Sequence, residues 1–200
     1  MRERILTAFA GPGISPDPDL ARNAWPVPAA PGEAPLLRSA AVLVPLIDHA
    51  TGMTVLLTQR TDTLPDHAGQ ISFPGGRIET RDRTPEDTAL REAEEEIGIA
   101  RTLIELVGRL NAHDTGTGFR VMPVVGLLMP PLSLSPDPSE VAHIFEVPLD
   151  FVLDPANHRF ETRISHGTER QFPVLSWREH LIWGLTARVL MELAGVLRKP

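Results

Sequence analysis

The chain has no cysteine among its 200 residues. A disulfide framework, a zinc knuckle and a thiol nucleophile are therefore excluded. The sequence suits a reducing compartment, and a cytoplasmic location is expected. It also lacks a basic excess: 19 Lys and Arg face 26 Asp and Glu, a formal charge of −7. That balance argues against a nucleic-acid partner or a basic membrane-surface helix, but not against metal cations. No apolar run is long enough to span a bilayer. The longest, Val121 to Leu132, is broken by Pro123, Pro130 and Pro131 and falls short of the roughly 20 residues a spanning helix needs. The opening MRERILTAFAGPG, with its early Glu3, does not read as a secretory signal. What is present is 42% hydrophobic content in a chain of single-domain length, enough for a core without staples.

Seven of the 20 prolines lie in the first 35 residues. Proline fixes φ and lacks a donor, so this stretch cannot be a long helix or a central strand. Residues 1–37 are expected to form a proline-rich arm, with a short helix at Arg2 to Ala10, and residues 38–200 the domain proper. Ala40–Ile47, a near-continuous apolar run, suits a buried strand and should pair as a hairpin with Met53–Gln59. A long loop, Arg60 to Gln70, then leads to Phe73-Pro74-Gly75-Gly76; such a loop in a compact domain is usually functional. Further strands are expected at Ile104–Ala112, Phe119–Leu128 and Val141–Val147. Pro148 should open a short helix, and a late hairpin should use His158–Ile164 and Gln171–Leu175. A final helix is predicted over Trp177–Leu197, from Leu181, Leu185, Val189 and Leu193 at i, i+4 spacing.

The most informative helix starts at Thr84-Pro85-Glu86-Asp87, with a Thr cap, Pro at the first position and acids in the first turn. It should end at Ile97, with Gly98 as its stop. Ala89, Leu90, Ala93 and Ile97 form an apolar stripe, while Glu92, Glu95 and Glu96 lie together on an adjoining face. Glu94 points elsewhere, and Arg91 stands four before Glu95 and can pair with it. Clustered carboxylates destabilise an isolated helix, and the plain alternative is a solvated acidic face. A hard divalent cation reverses the effect, because Mg²⁺ is held by a few carboxylates plus phosphate oxygens. Gly75-Gly76 shortly upstream lets a phosphate approach the backbone.

Gly76, Asp82 and Arg91-Glu92-Ala93-Glu94-Glu95-Glu96-Ile97-Gly98-Ile99 resemble the signature of the Nudix hydrolases, which cleave nucleoside diphosphates linked to a further moiety. Asp82 stands where Glu is usual, and the spacing to Arg91 is one residue longer, placed in the loop before Thr84. Leu56-Leu57-Thr58-Gln59-Arg60, Gly69 and Phe73-Pro74-Gly75-Gly76 also resemble the extra motif of the coenzyme A pyrophosphatase branch. Thr61 replaces a usual Ser there, and Pro65 a usual Arg. Glu140-Val141, Phe145 to Leu149 and Ile182 to Thr186 resemble the same branch.

The resemblance implies an α/β (α+β) fold, a Nudix-like α/β/α sandwich with a mixed β-sheet. It implies Mg²⁺ or Mn²⁺ on Glu92, Glu95 and Glu96, and cleavage of coenzyme A to 4′-phosphopantetheine and adenosine 3′,5′-bisphosphate. A metal ion neutralises the diphosphate and activates water, and a carboxylate takes the water's proton. Glu92 and Glu96 are expected as main ligands and Glu95 as ligand or base, with Arg91 orienting the acids. Glu140 is a further candidate ligand or base. Candidate substrate contacts are Arg60, His67, Gln70, Phe73, Gly75 and Gly76. Arg60 can equally pair with a local acid, and Phe73, which could stack on adenine, reads more simply as core packing. His113, His143, Trp177 and Trp183 read as structural. The alternatives are another nucleotide substrate (a dinucleotide, ADP-ribose or a nucleoside diphosphate sugar) or a nucleotide-sensing module without catalysis. A homodimer is the expected assembly.

Overall fold

The computed structural model describes residues 1–10, 37–63, 68–165 and 168–198. Most of the proline-rich arm, and Pro65 and His67 of the motif loop, lie outside the described residues. Helix α1 (Arg2–Phe9) opens the chain, and its Ile5 and Phe9 are buried in the main core. The start of the chain is therefore packed with the domain.

Among the described residues, eight strands form one mixed sheet. Strand β1 (Arg38–His49) runs parallel to β7 (Phe119–Leu128) along most of its length. It meets β2 (Gly52–Arg60) as an antiparallel hairpin only from Leu46 to His49. Further along, β1 pairs with β4 (Gly75–Arg77), and β2 takes β3 (Ile71–Ser72) on one side and β8 (Val141–Pro148) on the other. The continuous apolar run in β1 has a direct cause: both of its faces are covered. Val44 and Leu46 enter one core cluster, while Ala41, Leu43 and Ile47 enter the other, the period-2 alternation of a strand.

Helix α2 (Pro85–Ile97) covers the second face through Ala89, Ala93 and Ile97. Helices α1, α3 (Leu149–Leu153) and α4 (Gly184–Arg198) cover the first. Two helical layers thus enclose the mixed sheet, the expected α/β/α sandwich. Helix α2 is bounded as its sequence dictates. Thr84 and Asp87 make a reciprocal capping box, and Gly98 closes the helix at φ 72°, a conformation glycine adopts without a Cβ penalty.

Three elements depart from the sequence reading. The strand expected over Ile104–Ala112 is shorter, β5 (Glu105–Arg109), and a short β6 (His113–Asp114) follows just beyond that segment. Pro148 ends β8 and caps α3 rather than beginning it. The final helix starts at Gly184, not Trp177. Residues 168–183 instead form β10 (Thr168–Trp177) and β11 (His180–Trp183), with Arg178 turning between them at φ 52°. With β9 (Arg159–Ser165) they make a small antiparallel sheet. The i, i+4 pattern holds only from Leu185. In β11 burial alternates instead, with Ile182 at 0% exposure and Leu181 at 43%. No helix among the described residues is long and apolar enough to cross a membrane.

Candidate active site

The site forms where α2 crosses β4 and the adjoining ends of β2 and β8. Arg91 organises one side. Its side chain is 3% exposed and fully engaged. Nε and Nη2 hold Asp82 at 3.1 and 2.8 Å, Nη1 holds Glu92 at 2.7 Å and Glu95 at 2.9 Å, and Nη2 also donates to the Arg77 carbonyl at 3.0 Å. Burial alone would raise the Asp82 carboxyl. The hydrogen bonds from Arg91, the Glu79 N–H and Thr88 outweigh it together and hold Asp82 at about 2. Asp82, at a position where the signature usually has Glu, is thus the acid that fixes the Arg91 fork.

The other side is anionic and dry. Glu96 is 4% exposed, and among the described residues its carboxylate accepts one hydrogen bond, from the Gly75 N–H at 3.3 Å. Burial first, then repulsion from Glu92 and Glu140, pushes its carboxyl up to about 8, and the Arg60 charge only partly offsets this. Glu92 is raised for the same leading reason, burial, against the opposing pull of Arg91. Arg60 lies 3.8 Å from Glu96 and 4.0 Å from Glu140. The structure thus brings Glu92, Glu96, Glu140 and Arg60 into one electrostatic group.

Glu95 stands apart. It is half exposed, and its two oxygens are taken by Arg81 at 3.1 Å and Arg91 at 2.9 Å. Among the described residues no three His, Asp or Glu side chains converge as a ready cation cage. Of the three expected ligands, Glu92 and Glu96 face the anionic group, while Glu95 turns toward Arg91 and Arg81, the latter without a sequence signal.

The other expected contacts divide. Phe73 is 4% exposed in the main core, so it packs rather than offering its ring to a substrate. Gln70 accepts the Arg60 N–H through its carbonyl at 2.9 Å, which fixes the end of β2. At Gly75 an added Cβ would lie 2.4 Å from the Ala41 carbonyl oxygen and 2.6 Å from the Val42 Cα. At Gly76 it would lie 2.4 Å from a Glu92 carboxylate oxygen. Gly76 thus lets the sheet backbone meet Glu92 of α2 at close range, and Gly75 lets β4 lie tightly against β1.

The NUDIX domain family model matches residues 37–166. The chain is 43% identical over 157 residues to the protein named "Uncharacterized Nudix hydrolase NudL" in Photorhabdus laumondii, covering 78% of this chain and 83% of that protein. It is 42% identical over 158 residues to the protein of the same name in Pectobacterium atrosepticum, covering 78% and 81%. The chain belongs to the Nudix hydrolase family. Similar solved structures include the M. smegmatis Nudix hydrolase RenU (23% identity, 56% of this chain and 71% of that one, TM-score 0.49). Another is the Nudix domain of Shewanella oneidensis NrtR complexed with ADP ribose (22%, 68% and 86%, TM-score 0.46).

Nudix hydrolases generally use divalent metal ions, and the donors here fit one. Glu92 and Glu96 offer hard carboxylate oxygens from one helix face, Glu92 half-buried against Arg91 and Glu96 buried with Arg60 3.8 Å away. Mg²⁺ needs only one or two carboxylates when water and phosphate complete its shell. A first prediction tests the Nudix glycine beside them. In Gly76→Ala the new methyl meets the end of a flexible side chain, so the fold should survive while the Glu92 carboxylate shifts. A displacement near 1 Å costs about a hundredfold in rate. Steady-state turnover together with a thermal melt checks this; unchanged turnover would show that Glu92's position is unimportant. Gly75→Ala, which strikes backbone, should instead lower the melting temperature.

Proposed function

We propose that this Nudix hydrolase cleaves the diphosphate of coenzyme A or its derivatives, giving 4′-phosphopantetheine and adenosine 3′,5′-bisphosphate, with Mg²⁺ or Mn²⁺ held by Glu92 and Glu96. The observation that carries the metal-dependent hydrolysis is this pair of buried, charge-strained carboxylates facing Arg60 and Glu140. The coenzyme A assignment is supported by Leu56 to Arg60, Gly69 and Phe73 to Gly76, which resemble the motif of that branch. When bound, the ion supplies charge neutralisation of the diphosphate and activation of water.

The protein's own groups do the rest. Arg91 holds Glu92 in one orientation, and Gly75 donates to Glu96. Glu140 is 46% exposed with one guanidinium 4.0 Å away, so its oxygens are open to accept the proton of an attacking water. Glu95 has both oxygens against guanidinium groups and serves to keep Arg91 and Arg81 in place. Residues 1–37 as an arm, residues 38–200 as the Nudix domain, and a homodimer complete the proposal, with α1 packed into the domain core.

The test is a panel of coenzyme A, acetyl-coenzyme A, NADH, ADP-ribose and diadenosine polyphosphates with Mg²⁺ or Mn²⁺, products read by mass spectrometry. Cleavage of a coenzyme A form to the two named products is expected. Pro65, in place of the motif's usual Arg, favours the second reading of another nucleoside diphosphate derivative. Cleavage of NADH, ADP-ribose or a dinucleotide with every coenzyme A form untouched would establish that reading instead.

A further inference from the structure

The site contains two arginines in opposite states. Arg91 is clamped by Asp82, Glu92, Glu95 and the Arg77 carbonyl. Arg60 is not. Its contacts with Glu96 and Glu140, at 3.8 and 4.0 Å, are too long for hydrogen bonds. Its Nε is buried and meets no acceptor among the described residues, a costly arrangement for a donor-only side chain.

The backbone beneath it is fixed. The Arg60 N–H donates to the Gln70 carbonyl at 2.9 Å and the Thr61 N–H to the Glu140 carbonyl at 3.0 Å. The β2–β8 register shifts at this point, from Gln59 opposite His143 to Arg60 opposite Val141. A bulge of this kind re-aims a side chain beside a site. Arg60 is therefore delivered to the acids by a hydrogen-bonded strand end, and among the described residues the acids hold its guanidinium by charge rather than by hydrogen bonds.

We propose that the Arg60 guanidinium is the exchangeable counter-ion of the site. Without a divalent ion it lies against Glu96 and Glu140 and offsets their charge when they are ionised. When an ion binds Glu92 and Glu96, the guanidinium leaves Glu96 and turns its donors to the substrate's diphosphate. This rests on the metal-dependent reading above and adds to it a competition: Arg60 opposes ion binding until an anionic substrate accepts its charge, so empty enzyme holds its ion weakly and substrate tightens it. An arginine that only contacts phosphate would not affect ion binding in the absence of nucleotide. One that only supports the fold would weaken ion binding when removed.

The test is calorimetric titration of Mn²⁺ alone into the full chain, wild type against Arg60→Gln, with circular dichroism to verify the fold. Removing the competitor should tighten Mn²⁺ by about tenfold, while KM for the nucleotide rises. Arg60→Met, uncharged and of similar length, repeats the measurement should Gln disturb the strand end. Unchanged or weaker Mn²⁺ affinity in a folded variant overturns the inference and leaves the hydrolase reading intact. Absence of Mn²⁺ binding by the wild type and by both folded variants overturns both.

Discussion

Glu96→Gln is expected to lower Mg²⁺-dependent turnover by about a thousandfold, the several kcal/mol a metal supplies to the transition state, while the fold persists. The amide keeps the carbonyl oxygen that accepts the Gly75 N–H but removes the charge. Stability should move in the opposite direction to activity. Folding lifts the Glu96 carboxyl from 4.5 to about 8, so the folded state prefers the neutral acid. That preference contributes in full below pH 4.5 and is lost as pH rises through 8. Metal-free wild type should therefore melt below Glu96→Gln at pH 8, with the gap narrowing toward pH 5. Mg²⁺ should raise the wild type and not the variant. Initial rates and thermal melts at the two pH values check both halves, and wild-type-like turnover in the variant would remove Glu96 from the metal site.

Arg91→Ala should produce the largest loss of stability at the site. Arg91 and Asp82 are 3% and 4% exposed as a pair, and removing one partner leaves the other charge buried. Breaking such a pair costs about 3–5 kcal/mol, on the order of 10 °C in melting temperature for a chain of this size. Arg91→Lys should recover little, because one ammonium cannot supply the fork to Asp82 and still reach Glu92, Glu95 and the Arg77 carbonyl. The pH dependence has a defined sign. Folding lowers Asp82 from 3.8 to about 2, so its contribution is present above pH 3.8 and lost as pH falls through 2. Arg91→Ala should forfeit that contribution, so its deficit against the wild type narrows as pH falls. Chemical denaturation at pH 7 and pH 3 measures it; equal midpoints for wild type and Arg91→Ala would refute the structural role.

Helix α2 was legible in full because everything that defines it is local: the Thr84–Asp87 box, the Ala89–Ala93–Ile97 stripe and the Gly98 stop. The covered strand β1 was legible because burial on both faces leaves a continuous apolar run. Trp177–Trp183 was misread because Leu181 falls by chance at helical spacing from Leu185, while the Arg178 turn that defines β11 has no strong local signal. The helix wheel correctly grouped Glu92, Glu95 and Glu96, but it carries no information on where their carboxylates turn. Arg91 and Arg81 decide that for Glu95, and Arg81 is brought in by tertiary structure. The bulge that aims Arg60 arises from pairing between strands 80 residues apart in the chain and was equally invisible.

The central claim is that Glu92 and Glu96 hold a divalent ion. Isothermal titration of Mg²⁺ into the wild-type protein at pH 6.5 and pH 9, in buffers of different ionisation heat, tests it most directly. Metal ligands must lose their protons to bind, and Glu96 at about 8 is mostly protonated at the lower pH and ionised at the higher. Release of about one proton per ion is expected at pH 6.5 and almost none at pH 9, with tighter binding at pH 9. Binding with the same proton count and affinity at both values would place the ion elsewhere and contradict it.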